Sequence, residues 1–264
     1  MAAVKNSPGD LQSRDGPRSP KPLEVGHPTL LDSPHVSDRE VRITCSDATL
    51  QGDLALPPEA KGVVLFAHGS GSGRHSARNR QVAQTLQRAG VATLLFDLLT
   101  AVEEQSDVQT GEHRFNIALL ARRMQDATEW AAQQSELHDL PIGYFGASTG
   151  SAAALIAAAR LGRRITALVS RGGRPDLAGP VALAAVSART LLIVGGADRG
   201  VIELNEEASR HLQPGHRLSI VPDATHLFEE PGTLEQVAKQ AALWFTQHFN
   251  NAKKGRAHHN ASPP

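Results

Sequence analysis

The stretch Tyr144-Phe145-Gly146-Ala147-Ser148-Thr149-Gly150 constrains this chain more than any other, because it sets a serine between two glycines at the junction of two unlike segments. Ile142-Gly143-Tyr144-Phe145 leads in as an apolar run, and residues 152–159, alanine-rich with Leu155 and Ile156, lead out. A strand that passes into a helix through so short a turn holds the residue at its apex in a strained backbone with the hydroxyl exposed. It also leaves no room for a side chain at 146 or 150. Taken alone, the pattern equally describes a small-residue turn that lets a helix pack on a sheet. Its meaning depends on what the rest of the chain supplies.

From Gly62 onward, short apolar runs alternate with helical segments. The runs are residues 63–66, 91–96, 142–145, 165–169, 191–194 and 218–221, and continuous aliphatic stretches of this length suit strands buried on both faces. Residues 76–89 place Val82 and Leu86 on one helical face and stop at Gly90. Residues 113–137 carry Ile117, Leu120, Met124, Ala127 and Ala131 at three- and four-residue spacing. A last helix opens with the capping pattern Thr233-x-x-Gln236 and runs to Phe249. Repeated strand–helix units predict an α/β fold, a mostly parallel sheet with helices on both faces. Ahead of them, residues 41–45 and 49–56 alternate around Ser46-Asp47-Ala48 and predict an antiparallel pair.

One domain over residues 38–249 accounts for these elements. Residues 1–37, with six prolines and no apolar periodicity, and the polar residues 250–264 are expected to be disordered. His258-His259 is read as part of that tail and not as a metal site. Lys+Arg and Asp+Glu balance at 27 each, so no electrostatic footprint points to nucleic acid or to an anionic membrane. The single cysteine, Cys45, excludes an internal disulfide framework and a cysteine-built metal site, and its alternating context reads as a half-buried structural thiol. No apolar run is long enough to span a bilayer and the start is not that of a secretory leader, so a soluble, cytoplasmic protein is expected. The twelve histidines form no ligand pattern such as His-Glu-x-x-His.

Open α/β sheets carry their chemistry at the carboxyl ends of their strands. Here those ends are polar: His68-Gly69-Ser70, then Asp97, Ser148, Arg171-Gly172-Gly173-Arg174, Asp198 and His226. Ser148, Asp198 and His226 follow the order nucleophile, acid, histidine along the chain. A serine hydroxyl becomes a competent nucleophile when an imidazole takes its proton and a carboxylate fixes the imidazole's tautomer. The backbone N–H groups of Thr149 and of Ser70, in the glycine-rich loop, are the candidate oxyanion donors, with Gly69 or Gly71 as alternatives to Ser70. His68 is weighed as a second base or substrate contact, and preferred as a histidine that hydrogen-bonds backbone to hold this loop. Asp97 is expected to tie down its own loop. Asp176, a rival for the triad acid, is expected to cap a helix. Arg171 and Arg174 on one loop, with Arg74, His75 and Arg78 on another, suggest a substrate carrying negative charge near the scissile bond. The alternative is that these arginines pair with surface acids.

Together, Phe66-Ala67-His68-Gly69, Gly146-Ala147-Ser148-Thr149-Gly150, the Gly195-Gly196-Ala197-Asp198 turn and the Ala224-Thr225-His226 turn resemble an α/β hydrolase of the dienelactone-hydrolase-like group. The resemblance covers residues 40–249 and implies an eight-stranded sheet and ester-type hydrolysis without a cofactor. Dienelactone hydrolase proper uses a cysteine nucleophile where this chain has Ser148, so lactone hydrolysis is not carried over. Only about twenty residues separate the strand ending near Ser170 from that beginning near Thr190, too few for a large cap. The resulting expectation is a serine-type hydrolase that acts on a small carboxylic ester, thioester or related acyl molecule through an acyl-enzyme. Two other classes stand beside it. Similar chains accompany phosphoribosyltransferase domains, although no strand here ends in paired acids followed by a small-residue phosphate loop. A non-catalytic scaffold that binds a ligand or protein partner would use the same fold.

Overall fold

The computed structural model describes residues 36–260, with side chains described as far as residue 255. Alternation in the first two segments buries Val41, Ile43, Leu50 and Leu54, with Glu40, Arg42, Thr44, Thr49 and Gln51 exposed between them. These segments become β1 (Ser37–Thr44) and β2 (Thr49–Leu56), paired antiparallel around the bond from Cys45 N–H to Ala48 O. The continuous apolar runs become β3 (Val63–Ala67), β4 (Ala92–Phe96), β5 (Ile142–Ala147), β6 (Ile165–Arg171) and β7 (Arg189–Gly195), with β8 (Arg217–Val221) at the far edge. The sheet order is β1-β2-β4-β3-β5-β6-β7-β8. Strands from β4 to β8 are mutually parallel, and β2 meets β4 antiparallel.

Helices α1 (Ala77–Arg88) and α7 (Thr233–Asn260) cover one face, where Val82, Leu86, Val237 and Phe245 pack on Val64, Phe66, Phe145 and Val169. On the other face lie α3 (Ile117–Gln133), α4 (Thr149–Leu161), α5 (Gly179–Ala185) and α6 (Arg199–Ser209), with Met124, Leu155, Leu183 and Ala208 against Leu65, Leu94, Tyr144 and Leu168. Between β6 and β7 there is only a 3₁₀ turn, Pro175–Ala178, and the short α5, so no large cap is present there.

Two expectations are corrected. The helix read over 113–137 is shorter, and a separate α2 (Ala101–Thr110) precedes it. Thr100 and Glu103 form a reciprocal capping box at the start of α2, Gly111 at φ 65 ends it, and Asn116 starts α3 by accepting from Leu119 N–H. The tail expected to be disordered from 250 instead continues α7 to Asn260, and Lys253 Nζ donates to Ala60 O at 3.1 Å. Residues 250–254 contain neither glycine nor proline, so nothing local stops the helix at 249. The expected disorder of residues 1–35 and 261–264 lies outside the described residues, and Ser37, placed with the first of these segments, opens β1.

Candidate active site

Ser148 sits between β5 and α4 at φ 49, ψ −123, a left-handed conformation that is strained for any residue with a side chain. The flanking glycines make this turn possible. A Cβ at Gly146 would lie 2.4 Å from Ser151 Cα, and one at Gly150 would lie 2.3 Å from Ala67 O and His68 O. The turn is held by Ser148 N–H donating to Arg171 O (3.2 Å) and by Arg174 N–H donating to Ser148 O (3.1 Å).

The acid and histidine loops are stitched together in the same way. Gly196 N–H donates to Val221 O (2.8 Å) and Ala197 N–H to Ala224 O (2.9 Å), while a Cβ at Gly195 would strike Ala224 O at 2.3 Å. Asp198 therefore emerges at the start of α6 directly beside the loop that carries His226. Nδ1 of His226 lies 2.7 Å from Asp198 Oδ2, and its Nε2 lies 3.3 Å from Ser148 Oγ. With Nδ1–H donating to the carboxylate, Nε2 is left to accept the serine proton.

The oxyanion candidates also meet, with a twist. Ser70 N–H donates to the hydroxyl of Thr149 at 3.0 Å, so these two residues are neighbours but one candidate donor is engaged by the other's side chain. Gly69 passes so close that a Cβ would lie 3.1 Å from Ser148 Cβ. His68 is buried, with Nδ1 3.0 Å from Gly69 O and Nε2 accepting Leu98 N–H at 2.9 Å. Burial pushes its pKa below the ordinary histidine range, and the neutral Nδ1–H tautomer satisfies both bonds. Both ring nitrogens are committed to backbone, which ties the loop after β3 to the exit of β4. A cavity of about 190 Å³ opens against this loop, bounded by Ser70, Asp97, Leu99, Val108 and Leu120.

The rival carboxylates lie elsewhere. Asp97 Oδ1 accepts Arg74 N–H (2.8 Å) and its other oxygen meets the Arg74 guanidinium. Asp176 does not cap a helix. It lies inside the 3₁₀ turn and is held by Arg174 through Nε–Oδ1 (2.9 Å) and Nη2–Oδ2 (2.7 Å), because the backbone of that turn brings the two side chains parallel. Arg74 and Arg174 thus both pair with carboxylates, the alternative weighed for them in the sequence. Arg171 differs: it is 7% exposed, its guanidinium lies 5.9 Å from the Phe228 ring centroid, and no carboxylate among the described residues pairs with it. Sequence reasoning missed Phe228 and Arg78 as neighbours of Arg171, and missed α2, whose Val108 lines the cavity. The Thr100-x-x-Glu103 capping box was the available signal for α2.

Cys45 stands apart from the site, its thiol pushed up to about 12 chiefly by burial, with Asp126 adding to the effect. Among the described residues, no cluster of His, Cys, Asp or Glu is placed to hold a metal, and no helix is long and apolar enough to cross a membrane. His258 and His259 lie outside the residues whose side chains are described.

The strand order, the strained serine at a strand–helix turn, and the acid and histidine on the loops after β7 and β8 define an α/β hydrolase fold. A dienelactone hydrolase from Anabaena variabilis superposes with a TM-score of 0.79 at 53% sequence identity, covering 81% of this chain and 98% of that one. The chain belongs to the dienelactone-hydrolase-like family of α/β hydrolases. Est1E from Butyrivibrio proteoclasticus shares the fold at 18% identity, with a TM-score of 0.68 over 80% of this chain and 99% of its own. A Mycobacterium tuberculosis protein provisionally named phosphoribosyl transferase Rv0571c is 52% identical over 226 residues, 86% of this chain. The chain spans about half the length of that relative, 50%. No family model matches the chain.

Proposed function

We propose that this hydrolase is a serine enzyme that cleaves a small carboxylic ester, thioester or related acyl compound through an acyl-enzyme. The observation that carries the reading is the chain Ser148 Oγ, His226, Asp198 at 3.3 and 2.7 Å, set on a strained turn. Ser148 Oγ attacks the acyl carbon as its proton passes to His226 Nε2, and Asp198 stabilises the imidazolium through Nδ1–H. The tetrahedral oxygen takes hydrogen bonds from the N–H groups of Thr149 and Ser70, the Thr149 hydroxyl releasing Ser70 N–H by rotation about χ1. His226 then returns its proton to the leaving group, and a water activated by the same imidazole releases the acid.

The cavity of about 190 Å³ beside the oxyanion loop suits a short acyl group. Phosphoribosyl transfer, the provisional name of the longer relative, finds no support in this chain, which lacks a strand ending in paired acids before a phosphate loop. The reading is tested by labelling with a fluorophosphonate and mapping the modified peptide, alongside turnover of short-chain esters by Ser148→Ala. Loss of turnover by at least about 10⁴-fold is expected. Near-full activity in the variant, or labelling elsewhere, ends the serine-hydrolase reading.

A further inference from the structure

Three neighbouring strands have an arginine at or just before their first residue. Arg189 and Arg217 open β7 and β8, and Arg163 lies in the 3₁₀ turn Gly162–Arg164 that leads into β6. Parallel pairing puts these strand starts on the rim opposite the one that carries Ser148, Asp198 and His226. A groove of about 680 Å³ opens there between the strand starts and α7, whose continuation beyond 249 brings Asn251 and Ala252 to its wall.

No carboxylate lines this groove. Arg163, Arg189 and Arg217 are exposed, and none of them forms an ion pair among the described residues. Arg164, next in sequence to the first of them, is taken by Glu129 instead, with Nη2 2.9 Å from Oε2. The backbone around Arg189 sets its guanidinium in place. Nη1 donates to Pro214 O at 3.3 Å, and the Arg189 carbonyl accepts the indole N–H of Trp244 at 3.0 Å. Gly215, at φ 101, leaves the space that the guanidinium fills, since a Cβ there would lie 1.9 Å from Nη1. Burial and the charge of Arg189 push His248 below the ordinary histidine range, so this histidine stays neutral and the guanidiniums carry the groove's fixed charge.

Like charges gathered without a counter-ion raise the local potential, and an anion that bridges them lowers it. Neighbouring strands lie about 4.8 Å apart, which separates the starts of β6 and β8 by roughly 10 Å. A single phosphate does not bridge that span, whereas a run of linked phosphates does. Guanidinium forks match phosphate edges, and Ser187 and Thr166 add hydroxyl donors to the lining. Trp244 is only 6% exposed, so the groove offers no indole face on which a base could stack. We propose that this groove binds an oligophosphate chain, either free or as the tail of a nucleotide, at a site separate from the hydrolytic one. Phosphates are read there and the base is not.

Inorganic triphosphate, ATP, adenosine, citrate and a short oligothymidylate are titrated by calorimetry into the full chain and into Arg163→Ala, Arg189→Gln and Arg217→Ala. Arg42→Ala is the control, because it removes an equal charge from β1 at the far edge of the sheet. Triphosphate and ATP should bind within about threefold of each other, citrate at least about tenfold more weakly, and adenosine not at all. Each groove variant should weaken triphosphate about three- to fivefold, as expected for an exposed charge, while Arg42→Ala changes nothing. Arg163 and Arg217 are exposed, so their variants test the site even if Arg189→Gln disturbs the strand start. Absence of triphosphate binding, or an equal effect from Arg42→Ala, overturns the proposal. Citrate binding as tightly as triphosphate reduces the groove to a diffuse positive patch, and oligothymidylate binding more tightly makes it a nucleic-acid surface; either result also overturns it. Ser148→Ala should bind triphosphate as the native chain does, which keeps this test independent of the serine-hydrolase reading. Loss of binding in that variant would move the phosphates to the catalytic rim and end the proposal.

Discussion

Among the described residues two arginines are buried, and their surroundings are opposite. Arg123, 1% exposed on α3, donates through Nη1 to Leu98 O (2.8 Å) and Glu103 Oε2 (2.7 Å), and through Nη2 to Glu103 Oε1 (2.6 Å), with Asp47 at 3.6 Å. Its Nε lacks an acceptor, as does that of Arg171, but both of its outer nitrogens are used. Burial works against its charge, Glu103 and Asp47 together outweigh burial, and Arg123 titrates above the ordinary arginine range. Arg171, at 7% exposure, has an aromatic ring and another arginine for company, and titrates below that range. Arg123 fastens α2 and the exit of β4 onto α3, so its charge is spent inside the fold. Arg171 stands beside Ser148 with no carboxylate among the described residues paired to it. A buried arginine thus reads as structure or as site according to whether the protein itself supplies the counter-ion.

The largest expected effect comes from removing the counter-ion of the satisfied arginine. Glu103→Ala strips Arg123 of its bidentate partner and dissolves the capping box with Thr100, so a loss of about 3–5 kcal/mol in denaturant unfolding is expected. The same pair has a pH signature. Hydrogen bonds from Arg123 hold Glu103 down to about 2, against an ordinary 4.5. The folded pKa is depressed, so the contribution is fully present above 4.5 and is lost as pH falls from there towards 2. Native protein should lose stability across that window more steeply than Glu103→Gln, and parallel curves would remove the pair from its structural role.

Removing the unsatisfied charge should act in the other direction. Arg171→Met keeps much of the side-chain volume and deletes an uncompensated cation, so a gain of roughly 1 kcal/mol or more, visible as a higher Tm, is expected in the absence of ligand. A destabilised Arg171→Met would mean that the guanidinium has a structural partner, and the contrast with Arg123 would collapse.

The contrast itself was only half legible in the sequence. Ser148, Asp198 and His226 could be read as neighbours because each lies on the short turn that follows an apolar run, and parallel strands put such turns on one rim. Arg171 could be read as lying at a strand end, but a run buried on both faces does not reveal which face its last side chain takes. Its burial under Phe228 is a tertiary fact. Arg74 looked equally available, yet Asp97 and Asp53, which hold it, come from the exit of β4 and from β2 and are distant in sequence. Helix α2 escaped because its buried residue is Asp107, which accepts from His113 and Arg114 N–H, so apolar periodicity had nothing to register. The strained turn was legible because glycine is the residue such close approaches require, and the sequence records it at both positions.

The smallest effect is expected at Arg174, which sequence placed beside Arg171 as an equal. Its partner Asp176 lies two residues on, and the pair is open to water, with side chains 37% and 26% exposed. A solvated pair of this kind contributes about 0–1 kcal/mol, so Arg174→Ala should leave the unfolding midpoint nearly unchanged. The measurement bears directly on the distinction between spent and unspent charge. If Arg174→Ala lowers the unfolding midpoint as far as Glu103→Ala does, exposure to water does not weaken an ion pair here. Burial would then cease to be what sets the pair of Arg123 and Glu103 apart from the pair of Arg174 and Asp176, and the contrast between buried and solvated charge would lose its force.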